Sequence, residues 1–289
     1  MNLTPMEELL YSTTMVTSVA DGFPRHDGTG FFMRFGIRGR PEAVMLVTTK
    51  SATKDADALS IICSMARGSG PAGLPVPVVV GIEPESIIDH PSPHVDLCAV
   101  VVEPTLKQYA DNGTPIFMRP LDAKLVPSAK EFKAFDAVED LIMLSGSRSI
   151  LDPRTGRPIV LKGITVTGMA TDYRHRPEFL ADIATFPGSC GAPVFLSNRH
   201  GYFDPRRQKF VAEPRLKLVG VLTGGAYVTV DNELIVGDPL QYQEDAMLDF
   251  GSVLRATALL ELGKAVYQQR TRKTTRTVGA RKEPEPTRH

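Results

Sequence analysis

The chain predicts an all-β protein, two packed antiparallel six-stranded β-barrels closed by a C-terminal helix and trailed by a disordered basic tail. Three observations lead there. Among 289 residues, 24 glycines and 23 prolines cut the chain into short runs, the punctuation of turns rather than of long helices. Runs of β-type composition come in two batches, one on either side of a long link that starts near 103, and that layout suits two barrels packed together. Sustained helical spacing occurs near the end, where Leu254, Ala258, Leu262, Ala265 and Val266 recur. The expected organisation is a first barrel over 1–110, a connection over 111–137, a second barrel over 138–249, a helix over 250–267 and a tail over 268–289.

Taken in order, residues 5–10 suit a short helix and 11–19 a strand, and 21–30 is a turn-rich link. The β-type runs 31–37 and 43–49 flank Arg38-Gly39-Arg40, which reads as a hairpin tip. Strands 75–82 and 95–102 follow, separated by the loop Asp89-His90-Pro91-Ser92-Pro93-His94. The link carries one short helix near 129–135. The second batch is 140–144, 159–166, 178–184, 192–197, 216–222 and 227–230. A polar, proline-containing end lacks the apolar content to order itself.

A chain this long can bury a substantial core, and 42% hydrophobic with 23% charged residues is an ordinary globular composition. Net charge is zero but uneven. Residues 268–289 hold Arg270, Arg272, Lys273, Arg276, Arg281, Lys282 and Arg288 against Glu283 and Glu285, so that end is +5 and the rest is −5. Such a tail is either a solvated terminus or a sequence-blind contact to the phosphates of nucleic acid, through Arg270, Arg272, Lys273 and Arg276. Three cysteines, Cys63, Cys98 and Cys190, form neither a disulfide framework nor a metal-ligand spacing, which predicts a reducing, cytoplasmic or intracellular setting. Glu7 and Glu8 stand where a signal peptide needs an apolar centre. No apolar run approaches the ~18 residues of a membrane span. No cofactor and no metal site are expected.

The stretch richest in chemistry is Phe186-Pro187-Gly188-Ser189-Cys190-Gly191-Ala192-Pro193-Val194-Phe195. Glycines at 188 and 191 allow a tight turn with positive φ. Such a turn can aim consecutive N–H groups at one point, where an anionic oxygen would sit. Cys190 is at its apex. The plain alternative is a Gly/Pro turn around a buried cysteine.

Several further pieces line up in order. Gly28-Thr29-Gly30-Phe31-Phe32 precedes Met45-Leu46-Val47-Thr48-Thr49-Lys50, and Val95-Asp96-Leu97-Cys98-Ala99-Val100 precedes the Cys190 loop. Over roughly residues 8–267 the chain resembles the trypsin-like (chymotrypsin-fold) peptidases, especially the bacterial-type intracellular branch with a GTGFF strand and a GxSGxP loop. The resemblance implies a chymotrypsin-like fold and puts Cys190 at the nucleophile position, where serine is usual and cysteine occurs in viral relatives. It gives Gly188 and Cys190 the oxyanion-hole amides and makes Asp96 the triad aspartate. Ala184 through Pro187, with Thr223, Gly224 and Gly225, match the walls of the primary specificity pocket. No acidic residue stands there to recommend a basic substrate side chain.

One position departs from the pattern. Ser51 stands where the family's histidine follows its LVTxxH strand. That histidine takes the nucleophile's proton and delivers it to the leaving amine, and a serine hydroxyl does neither near pH 7. Lys50 next to it would need burial to act as a base. A cysteine loses less than a serine by this change, because a thiol is a few per cent thiolate at neutral pH.

Other histidines read as bystanders. His94 and Asp96 fall on one side of an extended chain, so a displaced imidazole is conceivable, but loop histidines are generally solvated. His90 and His94 have a metal-like separation, while Pro91 and Pro93 preclude the helix that would aim both at one ion. His175 suits a surface turn, and His26 and His200 suit solvated loops. Cys63 and Cys98 sit in apolar runs as small core residues. Ser145-Gly146-Ser147-Arg148-Ser149 lacks the Gly-Lys-Ser/Thr ending of a phosphate loop.

The sequence therefore predicts a trypsin-like peptidase homologue with a degenerate triad, inactive or weakly active on peptide or protein substrates. The rival is a structural or binding protein that keeps the barrels for their surface. Chymotrypsin-fold capsid proteins, which self-assemble and carry a basic disordered arm, set that precedent.

Overall fold

A computed structural model describes residues 3–36, 42–148, 150–204, 206–228, 234–237 and 246–280. It opens with α1 (Pro5–Leu10), started by a capping box in which Thr4 and Glu7 exchange side-chain and backbone hydrogen bonds. The N-terminal half contains β1 (Thr13–Ala20), β2 (Phe23–Phe35), β3 (Ala43–Thr48), β4 (Ala58–Arg67), β5 (Gly70–Gly81), β6 (Ile87–Asp89) and β7 (Cys98–Val101). After α2 (Glu103–Asp111) come two short strands, β8 (Ile116–Phe117) and β9 (Leu121–Asp122), and then α3 (Ala129–Ala134). The C-terminal half holds β10 (Asp140–Ser145), β11 (Ile159–Thr165), β12 (Glu178–Asp182), β13 (Pro193–Asn198), β14 (Tyr202–Asp204), β15 (Lys209–Val211), β16 (Arg215–Val228), β17 (Leu234–Gly237) and β18 (Ala246–Arg255). The long α4 (Thr257–Ala280) ends the described chain. No helix among the described residues is long and apolar enough to cross a membrane.

The C-terminal sheet closes on itself. Its order is β13-β10-β11-β12-β18-β16, and β13 pairs again with β16, which makes a six-stranded antiparallel barrel. The N-terminal half departs from the expected six-stranded barrel. Its order is β5-β4-β1-β2-β3-β7-β6, with β8 added to β4 and β9 running parallel to β2, and no described pairing joins the two ends.

Apolar residues in β2 and β3 are consecutive because both faces of these strands are buried. Phe31, Met33 and Phe35 face a core shared with Leu141, Phe179, Phe195 and Leu222 of the closed barrel, while Phe32 and Leu46 face a second core with Val16, Ile61 and Val78. The two halves thus share one apolar interface.

Three expectations about the elements need correction. Residues 58–67, given no element from the sequence, form β4, with Leu59, Ile61 and Cys63 buried on alternate positions. The helix does not begin at 250. Residues through Arg255 belong to β18, whose pairing with β12 and β16 completes the barrel. Nor does the helix stop at 267: α4 runs on to Ala280. The Arg38-Gly39-Arg40 tip, residues 229–230 and the end of the tail lie outside the described residues, although Arg34 pairs with Val44 and Phe35 with Ala43 as a hairpin there requires.

Candidate functional site

The loop that precedes β13 is built almost entirely from backbone geometry. Gly188 and Gly191 both adopt φ +91°, a region that favours glycine, and a Cβ on Gly191 would drive into the Thr29 carbonyl oxygen. Within the turn, Ser189 N–H donates to Phe186 O at 3.0 Å, and Ser189 Oγ donates to the same oxygen at 2.7 Å. Gly191 N–H donates to Leu222 O at 2.7 Å, tying the loop to β16.

Thr29 of β2 fastens this loop to the other half of the molecule. It is fully buried. Its Oγ1 donates to Gly188 O at 2.8 Å and accepts from Gly146 N–H at 3.0 Å, and its own N–H donates to Cys190 O at 2.8 Å. Ser147 Oγ donates to Pro187 O at 2.7 Å. In a trans peptide the C=O and N–H point opposite ways, so that bond turns the Gly188 N–H away from Ser147. Cys190 itself is half-buried, and its thiol donates to Thr223 O at 3.7 Å.

Ser51 and Asp96 meet because β3 and β7 are antiparallel neighbours with Thr48 opposite Cys98. Ser51 N–H donates to Asp96 Oδ1 at 3.0 Å, and Ser51 Oγ donates to Oδ2 at 2.8 Å. The hydroxyl also lies 3.0 Å from Thr49 Oγ1. The carboxylate is therefore occupied on both oxygens by Ser51. Lys50 does not turn toward Cys190. Its Nζ donates to His90 O at 3.4 Å and Ser92 O at 3.2 Å, so it tethers the loop that carries Asp96.

His90 corrects the expectation of a solvated loop histidine. Only 1% of its side chain is exposed, and its Nδ1 accepts from Ser92 N–H at 3.1 Å. That leaves Nε2 as the protonated nitrogen of the neutral ring. It faces Glu261 of α4 at 3.4 Å, without the alignment of a hydrogen bond. Burial lowers the His90 pKa, opposed in part by the Glu261 charge.

Between the two halves lies a cavity of about 530 Å³, whose lining includes Gly28, Thr49, Ser51, Gly188, Cys190 and His26 together with the charged Asp21, Arg25, Lys54 and Asp55. The fold thus brings Cys190, Gly188 and Ser51 to one space, with Asp96 behind Ser51. Ala184, Thr223, Gly224 and Gly225 do not line this cavity. Thr223 to Gly225 belong to β16, where Thr223 marks a register shift against β18 and its Oγ1 donates to Ser252 O at 3.3 Å. Among the described residues no cluster of three His, Cys, Asp or Glu side chains is placed to bind a metal ion. Arg270 forms an ion pair with Glu103 at 2.6 Å, which docks α4 beside α2. Arg272, Lys273 and Arg276 belong to the backbone of the same helix.

Three residues escape a sequence reading. Thr29 had a signal, a polar residue between two glycines in a strand that folds to full burial. Ser147 is hidden in a segment that reads as a flexible turn. His26 reads as solvated and is exposed, yet it borders the cavity that holds Cys190.

Among solved structures, the chain is similar to the Rv3671c protease in its inactive form, at 15% identity over 89% of each chain with a TM-score of 0.38. It is also similar to the serine endoprotease from Yersinia pestis, at 11% identity over 90% of this chain with a TM-score of 0.46. The chain spans 64% of that second protein's length. No family model and no curated protein matches the chain.

Proposed function

We propose that this protein is a peptidase homologue that keeps a cleft for a peptide carbonyl and has lost the proton shuttle of its triad. In this reading Cys190 is the nucleophile and the Gly188 and Cys190 amides form the oxyanion hole. Asp96 is the orienting carboxylate, Ser51 occupies the histidine position, and Ala184 with Thr223, Gly224 and Gly225 borders the substrate side chain. The observation that carries it is Ser51 bonded through both N–H and Oγ to Asp96 while it lines the same cavity as Cys190 and Gly188. Asp96 is half-buried, and both of its carboxylate oxygens accept a hydrogen bond from Ser51. Serine supplies the partner and no base.

Chemically, the cradle can still polarise a carbonyl. An oxyanion hole alone leaves about 10³–10⁴-fold acceleration over water, against about 10⁶-fold or more for an efficient enzyme. The expectation is a slow thiol nucleophile that acylates and turns over poorly. The experiment is Ser51→His. Restoring an imidazole beside Asp96 should raise hydrolysis of a peptide thioester by about 10²–10⁴-fold, measured against Ser51→His/Cys190→Ala. No gain, with the variant folded as judged by circular dichroism, would sink this reading.

A further inference from the structure

We propose that His26 carries the proton that the absent triad histidine would carry, taking it from Cys190 and giving it to the leaving amine. This rests on the reading of Cys190 as the nucleophile. Among the five histidines in the described residues, His26 is the one that lines the Cys190 cavity. His90 is buried toward α4, and His94, His175 and His200 are exposed away from the cavity.

The backbone of His26 is fixed and its ring is not spent. Its N–H donates to Ser18 Oγ at 3.0 Å, and Ser18 Oγ donates to its carbonyl at 3.4 Å. The imidazole makes no hydrogen bond to a described residue. Two residues on, a Cβ at Gly28 would lie 3.5 Å from Cys190 O, and Thr29 N–H bonds that oxygen at 2.8 Å. The edge of β2 therefore runs directly along the nucleophile loop. His26 stands in a β-bulge of β2, where Thr17 pairs with Asp27 but Val19 pairs with Pro24, and it shares with Cys190 a cavity in which one water can relay a proton between imidazole and thiol. Gly28 puts no side chain in the way. The adjacent Asp27 carboxylate is engaged with Arg148 at 3.1 Å and Thr17 at 2.6 Å.

The steps balance without a further reactant. The S–H proton passes to a ring nitrogen, directly or through one water, and the sulfur pair forms the C–S bond as the carbonyl pair moves onto oxygen. Collapse breaks the C–N bond while the imidazolium gives its proton to the amine nitrogen. Water then attacks the thioester, His26 takes its proton, and the departing sulfur receives that proton as the C–S bond breaks.

The test is the rate at which iodoacetamide alkylates Cys190 in the full chain at pH 7, followed by peptide mapping. His26→Gln should slow it about 10-fold, as expected if pairing raises a thiolate fraction of a few per cent. His94→Gln should leave it unchanged, and free imidazole should restore the rate of His26→Gly. His26→Gln reacting at the wild-type rate, or His26→Gly that imidazole fails to rescue, overturns the proposal. Ser51→His separates the two levels of the argument. If it accelerates alkylation while His26→Gln changes nothing, His26 is discarded and the cradle stands; if neither variant has an effect, both fall.

Discussion

Thr29 bonds the Cys190 loop at both Gly188 O and Cys190 O. Thr29→Val keeps the shape and removes the hydroxyl, leaving Gly188 O and Gly146 N–H without that partner in a buried place. Loss of about 1–3 kcal/mol is expected, read from urea midpoints, with Cys190 alkylation altered as the loop relaxes. A stability within error of wild type would show that water replaces the bond. The cysteines offer a second test at this scale. Burial pushes the Cys63 and Cys98 thiols up to about 12, so at neutral pH they are protonated and shielded. Mass mapping should find alkylation at half-buried Cys190 first. Early modification at Cys63 or Cys98 would contradict the packing. Chemistry at this scale was largely legible in the sequence. The turn at Gly188 and Gly191 follows from residue types alone, whereas the partners of Thr29, 116–159 residues away, leave no local trace.

Among the elements, α4 matters most because it returns from the closed barrel to cover the other half. Ala258, Leu259, Leu262 and Val266 are buried on one face, and Gly263 lies against Phe35. Leu259→Ala should cost about 2–5 kcal/mol, measured by denaturant unfolding. The same helix holds His90 under Glu261, with Lys50 bonded to the His90 carbonyl. The lowered His90 pKa fixes the sign of a pH effect. The unfolded chain binds this proton more readily than the folded one, so stability rises with pH through that window. It is complete above about pH 6.5 and falls as acid is added. His90→Gln should flatten the dependence between the folded value and that pH, monitored by thermal melts. An unchanged slope would mean that another group carries it. Elements with capping boxes or two-sided apolar runs, such as α1 and β3, were readable. β4 and β18 were not, because Ile62 puts an apolar residue on the half-buried face of β4 between Ser60 and Ser64 and Leu254 of β18 falls in register with the helical repeat that follows.

For the whole molecule, the shared core joining Phe31 and Met33 to Phe179 and Phe195 makes the two halves one packed body. A single cooperative transition is expected, with far-ultraviolet circular dichroism and tyrosine fluorescence coincident (the chain contains no tryptophan). Two separated transitions would show that the halves fold independently. By itself the sequence determined the β architecture in two batches, the tight glycine turn around Cys190 and the serine at position 51, since periodicity and turn chemistry are properties of neighbouring residues. Only the tertiary structure decided that Ser51 satisfies Asp96 across 45 residues, that Lys50 tethers a loop instead of serving as a base, and that His26 borders the Cys190 cavity. The reason is physical: which strand lies beside which is set by burial of the two cores together, and no local pattern records the side chains that this packing brings face to face.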